Sequence, residues 1–214
     1  MTRTSPLSHL LAIFSLCASV ALATPSAEDV LVKRIGDYHA YTGGHVRRVG
    51  EYAAFLARAL RLPAAEVERC HSAGRLHDLG KLEVPVALLD KPGKLSDDEW
   101  KVIKKHPARG DQLAAGIEPA VHAGIVGHHE RWDGAGYPTG LKGDAIPLIA
   151  RIVSVADVWD AVTTTRSYQK QRSFTEACAI LRKAAGSQLD PKLVDAFLAD
   201  PRALEALARK LEEH

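Results

Sequence analysis

The sequence is poor in sulfur. Among 214 residues there are one methionine, Met1, and three cysteines, and no two cysteines form a CxxC pair. A disulfide-built fold and a thiolate zinc ribbon are thereby excluded. Charge of one sign is also lacking: 28 Lys and Arg stand against 26 Asp and Glu, for a net charge of +2. A broad basic face for a nucleic-acid polymer does not fit that balance. No stretch alternates apolar and polar residues long enough to make a sheet, and no segment repeats. No apolar run reaches the roughly 20 residues that span a bilayer. What is there is an average globular composition, 46% apolar and 25% charged, in a chain of single-domain length. Histidine is plentiful, with ten copies.

Residues 1–23, MTRTSPLSHLLAIFSLCASVALA, are a segment apart. Arg3 precedes an apolar run over 10–23, which ends in Ala21-Leu22-Ala23 before Thr24-Pro25. This is the layout of a secretory signal peptide. Cys17 follows Phe14-Ser15-Leu16, which lacks the small residues of a lipoprotein cleavage site. The expectation is an exported, periplasmic protein whose single domain occupies 24–214. The alternative is an uncleaved membrane anchor that holds the domain in the cytoplasm. Arg3 before the run and Lys33-Arg34 after it do not decide between orientations. Cys70 and Cys178 are expected as buried thiols.

The remainder reads as helices joined by short loops, an all-α fold. Apolar residues at helical spacing run from Ala27 to Leu62, with Gly43-Gly44 expected to break them into two helices. A third helix is expected from Ala64 to Leu79, closed by Gly80, and a loop over 82–95. Ser96-Asp97-Asp98-Glu99 and Ser173-Phe174-Thr175-Glu176 are capping boxes that open helices. Further helices are expected near 107–116, 118–129, 147–165, 191–199 and 201–213. Residues 130–146 hold Gly134, Gly136, Pro138, Gly140 and Gly143 and read as a loop. Trp132 and Trp159 are expected to pack rather than to bind.

Metal-type side chains sit at His45, His77-Asp78, His106, His128-His129 and Asp157, about one helical hairpin apart. A compact bundle can aim all of them at one point. Imidazole and carboxylate donors without cysteine suit a catalytic transition-metal site better than a structural zinc site. Asp78 is suited to bridge two ions, since its carboxylate has two oxygens. Two ions about 3.5–4 Å apart can hold a hydroxide and polarise a phosphoryl oxygen, which is machinery for phosphoester hydrolysis. Lys81, three residues from Asp78, is placed to offset charge growing on a phosphate. Tyr137 lies in the glycine-rich loop within reach of a substrate, and Arg166 is a candidate phosphate clamp. His9, His39, His71, His122 and His214 stay unassigned.

Four stretches together resemble the HD-GYP family, a branch of the HD-domain metal-dependent phosphohydrolases. They are RLHDLGKLEVPVALLDKPGKLSDDEW at 75–100, KKHPARG at 104–110, HHERWDGAGYPTGLKGDAIPLIARIVSVADVWDAVTTTRSY at 128–168 and LDPKLVDAF at 189–197. The resemblance covers about residues 28–200. It implies an all-helical HD bundle with a buried His/Asp site for two or three ions, iron or manganese. It implies hydrolysis of cyclic di-GMP to pGpG or on to GMP by a metal-bridging hydroxide. Carried over by motif, His45, His77, Asp78, His106, His128, His129 and Asp157 are the metal ligands, with Asp78 as bridge. Lys81 is the phosphate-contacting lysine, Gly136-Tyr137-Pro138 is the signature loop beside the substrate, and Arg166 contacts the substrate. A diguanylate cyclase docking through that loop is the implied protein partner.

The chain departs from the family pattern in places. Tyr41 stands where some members place a glutamate for a third metal, so two ions and release of pGpG are expected. Gln169, beside Lys170, replaces a basic residue, which weakens one phosphate contact. The leader fits poorly with a cytoplasmic messenger such as cyclic di-GMP. Two other readings therefore stay open: a hydrolase for another cyclic nucleotide or an extracytoplasmic phosphoester, and a non-catalytic binding module.

Overall fold

A computed structural model describes residues 25–164 and 172–212. Its eleven described helices are α1 (Ala27–Tyr38), α2 (Ala40–Ala59), α3 (Ala64–Leu76), α4 (Val86–Leu89), α5 (Asp97–Ile103), α6 (His106–Leu113), α7 (Pro119–Gly127), α8 (Leu148–Thr163), α9 (Phe174–Ala184), α10 (Pro191–Phe197) and α11 (Pro201–Glu212). The described residues contain no strand, only one isolated bridge between Ala185 and Leu189. The all-α expectation holds. No described helix is long and apolar enough to cross a membrane.

The local signals act where they were read. Ser96 Oγ accepts the Glu99 N–H and Ser173 Oγ accepts that of Glu176, each at 3.3 Å. Each glutamate returns a bond to the serine N–H, at 2.7 and 2.8 Å, so α5 and α9 begin on closed boxes. Pro119, Pro191 and Pro201 open α7, α10 and α11, where a missing N–H is harmless.

Two boundaries differ from expectation, both for tertiary reasons. Gly43-Gly44 do not break the first helical stretch; they lie inside α2. The break falls at His39, which is extended (φ −150°, ψ 102°) and caps α2 by accepting the Thr42 N–H on Nδ1. A Cβ on Gly43 would lie 2.4 Å from the Gly36 Cα, so this glycine lets α1 and α2 touch backbone to backbone. Likewise α3 ends at Leu76 rather than Leu79, and a 3-10 turn follows over Leu79–Glu83. A Cβ on Gly80 would lie 1.9 Å from the His106 carbonyl oxygen, so the turn presses directly on the start of α6. The segment 82–95, read as loop, also contains the single-turn α4.

The core gathers on α2, α3 and α8. Trp159 is fully buried and meets Tyr52 and Phe197 edge-on at ring distances of 6.4 and 5.5 Å. Trp132 lies under the Arg151 guanidinium at 5.6 Å. Cys70 and Cys178 are buried free thiols, and burial pushes the Cys70 thiol up to about 12. The unassigned histidines that are described have ordinary partners: His39 with Asp90, His71 with Glu51 and His122 with Asp111. His9 and His214 lie outside the described residues.

Candidate metal centre and adjoining cleft

One local device recurs. A helix end leaves carbonyls without partners. His77 follows α3 and its Nδ1–H donates to the Gly74 carbonyl at 2.8 Å. His128 follows α7 and donates to Ile125 at 2.8 Å, and His106, after α5, donates to Ile103 at 2.7 Å. Each bond satisfies an orphaned carbonyl three residues back. Each also fixes the tautomer, since a carbonyl can only accept, and leaves the Nε2 lone pair pointing inward. His45, one turn into α2, is oriented differently: its Nδ1–H donates to Asp160 Oδ2 at 2.7 Å.

These rings converge in two groups. Ligand atoms of His45, His77 and Asp78 lie within 4.8 Å of one another, as do those of His106, His128 and His129. Asp78 stands between them. Its Oδ2 lies 3.7 and 3.4 Å from the Nε2 atoms of His45 and His77, while its Oδ1 lies 3.3 Å from His106 Nε2. Asp157, on α8, brings Oδ1 to 3.1 Å from His45 Nε2. Lys81 donates to Asp78 Oδ2 at 2.5 Å. The structure thus brings together all seven expected donors and the lysine.

The donor set fits divalent cations. His77 Nε2 is buried without a hydrogen-bond partner. A buried lone pair with no donor facing it is unfavourable unless a cation takes it. His106 and His128 point Nε2 at each other, 3.2 Å apart, and a cation between them resolves that contact as well. Burial keeps three of the imidazoles neutral, the form that ligates a metal. Burial pushes His106 down to about 3 and His129 to about 4, and holds His128 well below the usual imidazole range. Burial opposes charge on His45 too, but bonds to Asp157 and Asp160 outweigh it and raise His45 to about 9. Asp78 stays ionised despite its burial, through His77 and Lys81.

The centre opens on one side into a cleft of about 550 Å³. His128, His129 and Asp157 form its floor, and Gly136 and Tyr137 one wall. Pro138 is exposed and is not part of the lining. The Tyr137 ring stacks on His129 at 4.7 Å, and Lys104 Nζ stands over the Tyr137 ring, 5.4 Å from its centre. Burial raises the Tyr137 hydroxyl above its ordinary value, so it remains a proton donor at neutral pH. Arg166, Gln169 and Lys170 lie outside the described residues.

Several residues escaped the sequence reading. Asp160 is fully buried and accepts from Arg48 Nε at 2.6 Å and Arg48 Nη2 at 3.0 Å as well as from His45. Its signal was its place one helical turn after Asp157, on a neighbouring face of α8. Glu130 is buried and accepts the backbone N–H groups of Thr139, Gly140 and Leu141 at 2.7 to 3.1 Å. It ties down the glycine-rich loop that carries Tyr137. A glutamate directly after two adjacent histidines was the visible cue.

The HD-domain family model matches residues 29–193. The cyclic di-GMP phosphodiesterase response regulator RpfG of Xanthomonas campestris is 42% identical over 170 residues, covering 78% of this chain and 45% of that protein. The 3'3'-cGAMP-specific phosphodiesterase 3 of Vibrio cholerae is 39% identical over 169 residues, covering 78% of this chain and 36% of that protein. The chain thus spans less than half the length of these relatives. Among solved structures, the cyclic GMP-AMP phosphodiesterase V-cGAP3 of V. cholerae superposes with a TM-score of 0.65 at 21% identity, over 86% of this chain and 52% of that one. The HD domain of Listeria monocytogenes PgpH, solved with cyclic di-AMP, gives 0.61 at 13% identity over 86% and 96%. At these identities the structural likeness is one of fold.

Proposed function

Because the chain belongs to the HD-domain family, we propose that it is a divalent-metal phosphodiesterase of the HD-GYP type that hydrolyses cyclic di-GMP to pGpG. The observation that carries the reading is Asp78, whose two oxygens face two separate histidine groups. Two divalent ions in these groups supply Lewis acidity toward a phosphoryl oxygen and acidify water. His45, His77, Asp78 and Asp157 would hold one ion, and Asp78, His106, His128 and His129 the other. Imidazole and carboxylate donors without thiolate favour iron or manganese. Tyr41, in place of a further carboxylate, supports two ions and the linear dinucleotide as product.

The chain's own groups do the rest. Lys81 Nζ donates to phosphate oxygen as negative charge grows there. The Tyr137 hydroxyl stays protonated and donates a hydrogen bond into the cleft. Glu130 holds the loop so that Tyr137 lies on His129. Arg166, outside the described residues, is the further phosphate contact that the resemblance implies. Residues 1–23 act as an export signal, with an anchor that leaves the domain inside as the other reading.

A second substrate, 3'3'-cGAMP, is favoured by the names of three V. cholerae relatives. A panel of cyclic di-GMP, 3'3'-cGAMP and cyclic di-AMP, with products identified by mass spectrometry, tests the proposal. Cyclic di-GMP should be turned over fastest with pGpG accumulating. Turnover of none of the three by metal-loaded protein would sink it.

A further inference from the structure

Beyond its floor the cleft continues onto α5. Asp97, Trp100, Lys101 and Lys104 all line it. Their spacing of three, four and seven residues sets them on one helical face. Distances along that face form a ruler. Lys104 Nζ is 5.4 Å from the Tyr137 ring, which is 4.7 Å from the His129 ring. Trp100 lies one turn back along α5, about 6 Å along the axis from Lys104. A nucleotide bridges that kind of distance between its phosphate and its base.

Trp100 is also unusual for its exposure. Its relative exposure is 44%, whereas Trp159 is fully buried in the core. An indole left half in water on a cleft wall offers a flat apolar surface that the fold itself does not use. One turn away, Asp97 offers a carboxylate, which accepts hydrogen bonds and donates none. Guanine presents two adjacent N–H donors, N1–H and the 2-amino group, on its Watson–Crick edge. Adenine presents one donor beside a lone pair, which a carboxylate repels.

Resting on the phosphodiesterase reading above, we infer that the α5 face is a guanine subsite: Trp100 is the plane on which the base stacks, and Asp97 reads its Watson–Crick edge. Lys101 and Lys104, on the same face, draw in the phosphates. Cyclic dinucleotides carrying guanine are thereby preferred over cyclic di-AMP through contacts remote from the reacting phosphate.

The test compares cyclic di-GMP, cyclic di-AMP and bis(p-nitrophenyl) phosphate, a phosphodiester without a purine, on the metal-loaded full chain. Trp100→Ala should lower kcat/KM for cyclic di-GMP tenfold or more, roughly up to a hundredfold, beyond any loss on the purine-free ester. Trp100→Phe, which keeps a stacking plane, should recover most of that loss. Asp97→Asn presents one acceptor and one donor, a match for adenine, and should lower the ratio of cyclic di-GMP to cyclic di-AMP turnover about tenfold. Equal losses on all three substrates, or no loss on any, would overturn the subsite while the hydrolase reading stands. Fluorescence separates the two further. Cyclic di-GMP should quench the indole emission, and Trp100→Phe should abolish that quenching. A chain that turns over no phosphodiester yet shows this quenching keeps the subsite and loses the hydrolase; absence of quenching overturns the subsite.

Discussion

Asp160→Asn is a nearly isosteric change at a residue remote from any substrate, so its effects follow from one carboxylate. That carboxylate is fully buried and accepts three bonds, one from His45 at 2.7 Å and two from Arg48 at 2.6 and 3.0 Å. Asparagine keeps one acceptor and turns an N–H2 group toward the other donors. Breaking a buried ion pair from one side destabilises by 3–5 kcal/mol, but the Arg48 side chain keeps 20% exposure and recovers some hydration. We expect a net loss of about 2–3 kcal/mol in the metal-free protein, or roughly 5–10 °C in Tm. His45 then loses the partner that fixes its tautomer, which should weaken the ion at His45, His77 and Asp78 by about 10- to 100-fold. The ion at His106, His128 and His129 should be barely affected. Thermal unfolding of the metal-free variant and metal titration of the folded one give the two readouts. A lowered Tm with both metal affinities within twofold of wild type would refute the positioning role and leave Asp160 a strut between α2 and α8.

Three further outcomes follow from particular contacts. Gly80→Ala drives a Cβ toward the His106 carbonyl and the Gly110 N–H, and should destabilise by about 3 kcal/mol in urea unfolding; a change under about 0.5 kcal/mol would contradict that close approach. Glu130→Gln places an amide N–H2 group against backbone N–H donors, and should raise KM at least about fivefold while metal content is unchanged; parallel loss of metal would mean that Glu130 supports the ions instead of the loop. Metal uptake at pH 7.5 should release about one proton per chain more than at pH 10, from His45, because its bonds to Asp157 and Asp160 raise it to about 9 while burial keeps His106 and His129 neutral. That extra proton should vanish above about pH 10. The same shift stabilises the metal-free fold fully below about pH 6.5, and that gain is lost as pH rises through about 9. Calorimetry in two buffers of different ionisation enthalpy measures the proton count, and zero protons at pH 7.5 would refute the pairing of His45 with its two aspartates.

How much could be read beforehand depended on how local the cause was. The capping boxes at Ser96 and Ser173 are satisfied within four residues, so their helices began where expected. The seven donors and Lys81 were legible because the metal-type residues stand about one hairpin apart, and packing α2, α3, α6, α7 and α8 together closes those gaps. What was missed needs a partner far along the chain. Gly43 is small because Gly36 crosses it, a contact between helices that a glycine pair in sequence cannot distinguish from a break. α3 stops at Leu76, ahead of a 3-10 turn whose Gly80 presses on the start of α6, again a contact between distant segments. Asp160 reads as one more acid on α8 until His45, 115 residues away, is placed beside it. Glu130 is similar: its partners are backbone groups, which no side-chain motif announces.

On the proposed function, Asp78 joins the two ions on which phosphodiester hydrolysis depends. The most direct test measures iron and manganese per chain on protein purified without air, and assays cyclic di-GMP turnover on the same sample before and after chelation, beside Asp78→Ala. About two ions per chain and pGpG as product are expected, with ions and activity lost together on chelation and in the variant while helical content is retained. Protein that turned over cyclic di-GMP at full rate after the ions were stripped, or Asp78→Ala that kept both ions, would contradict the proposal.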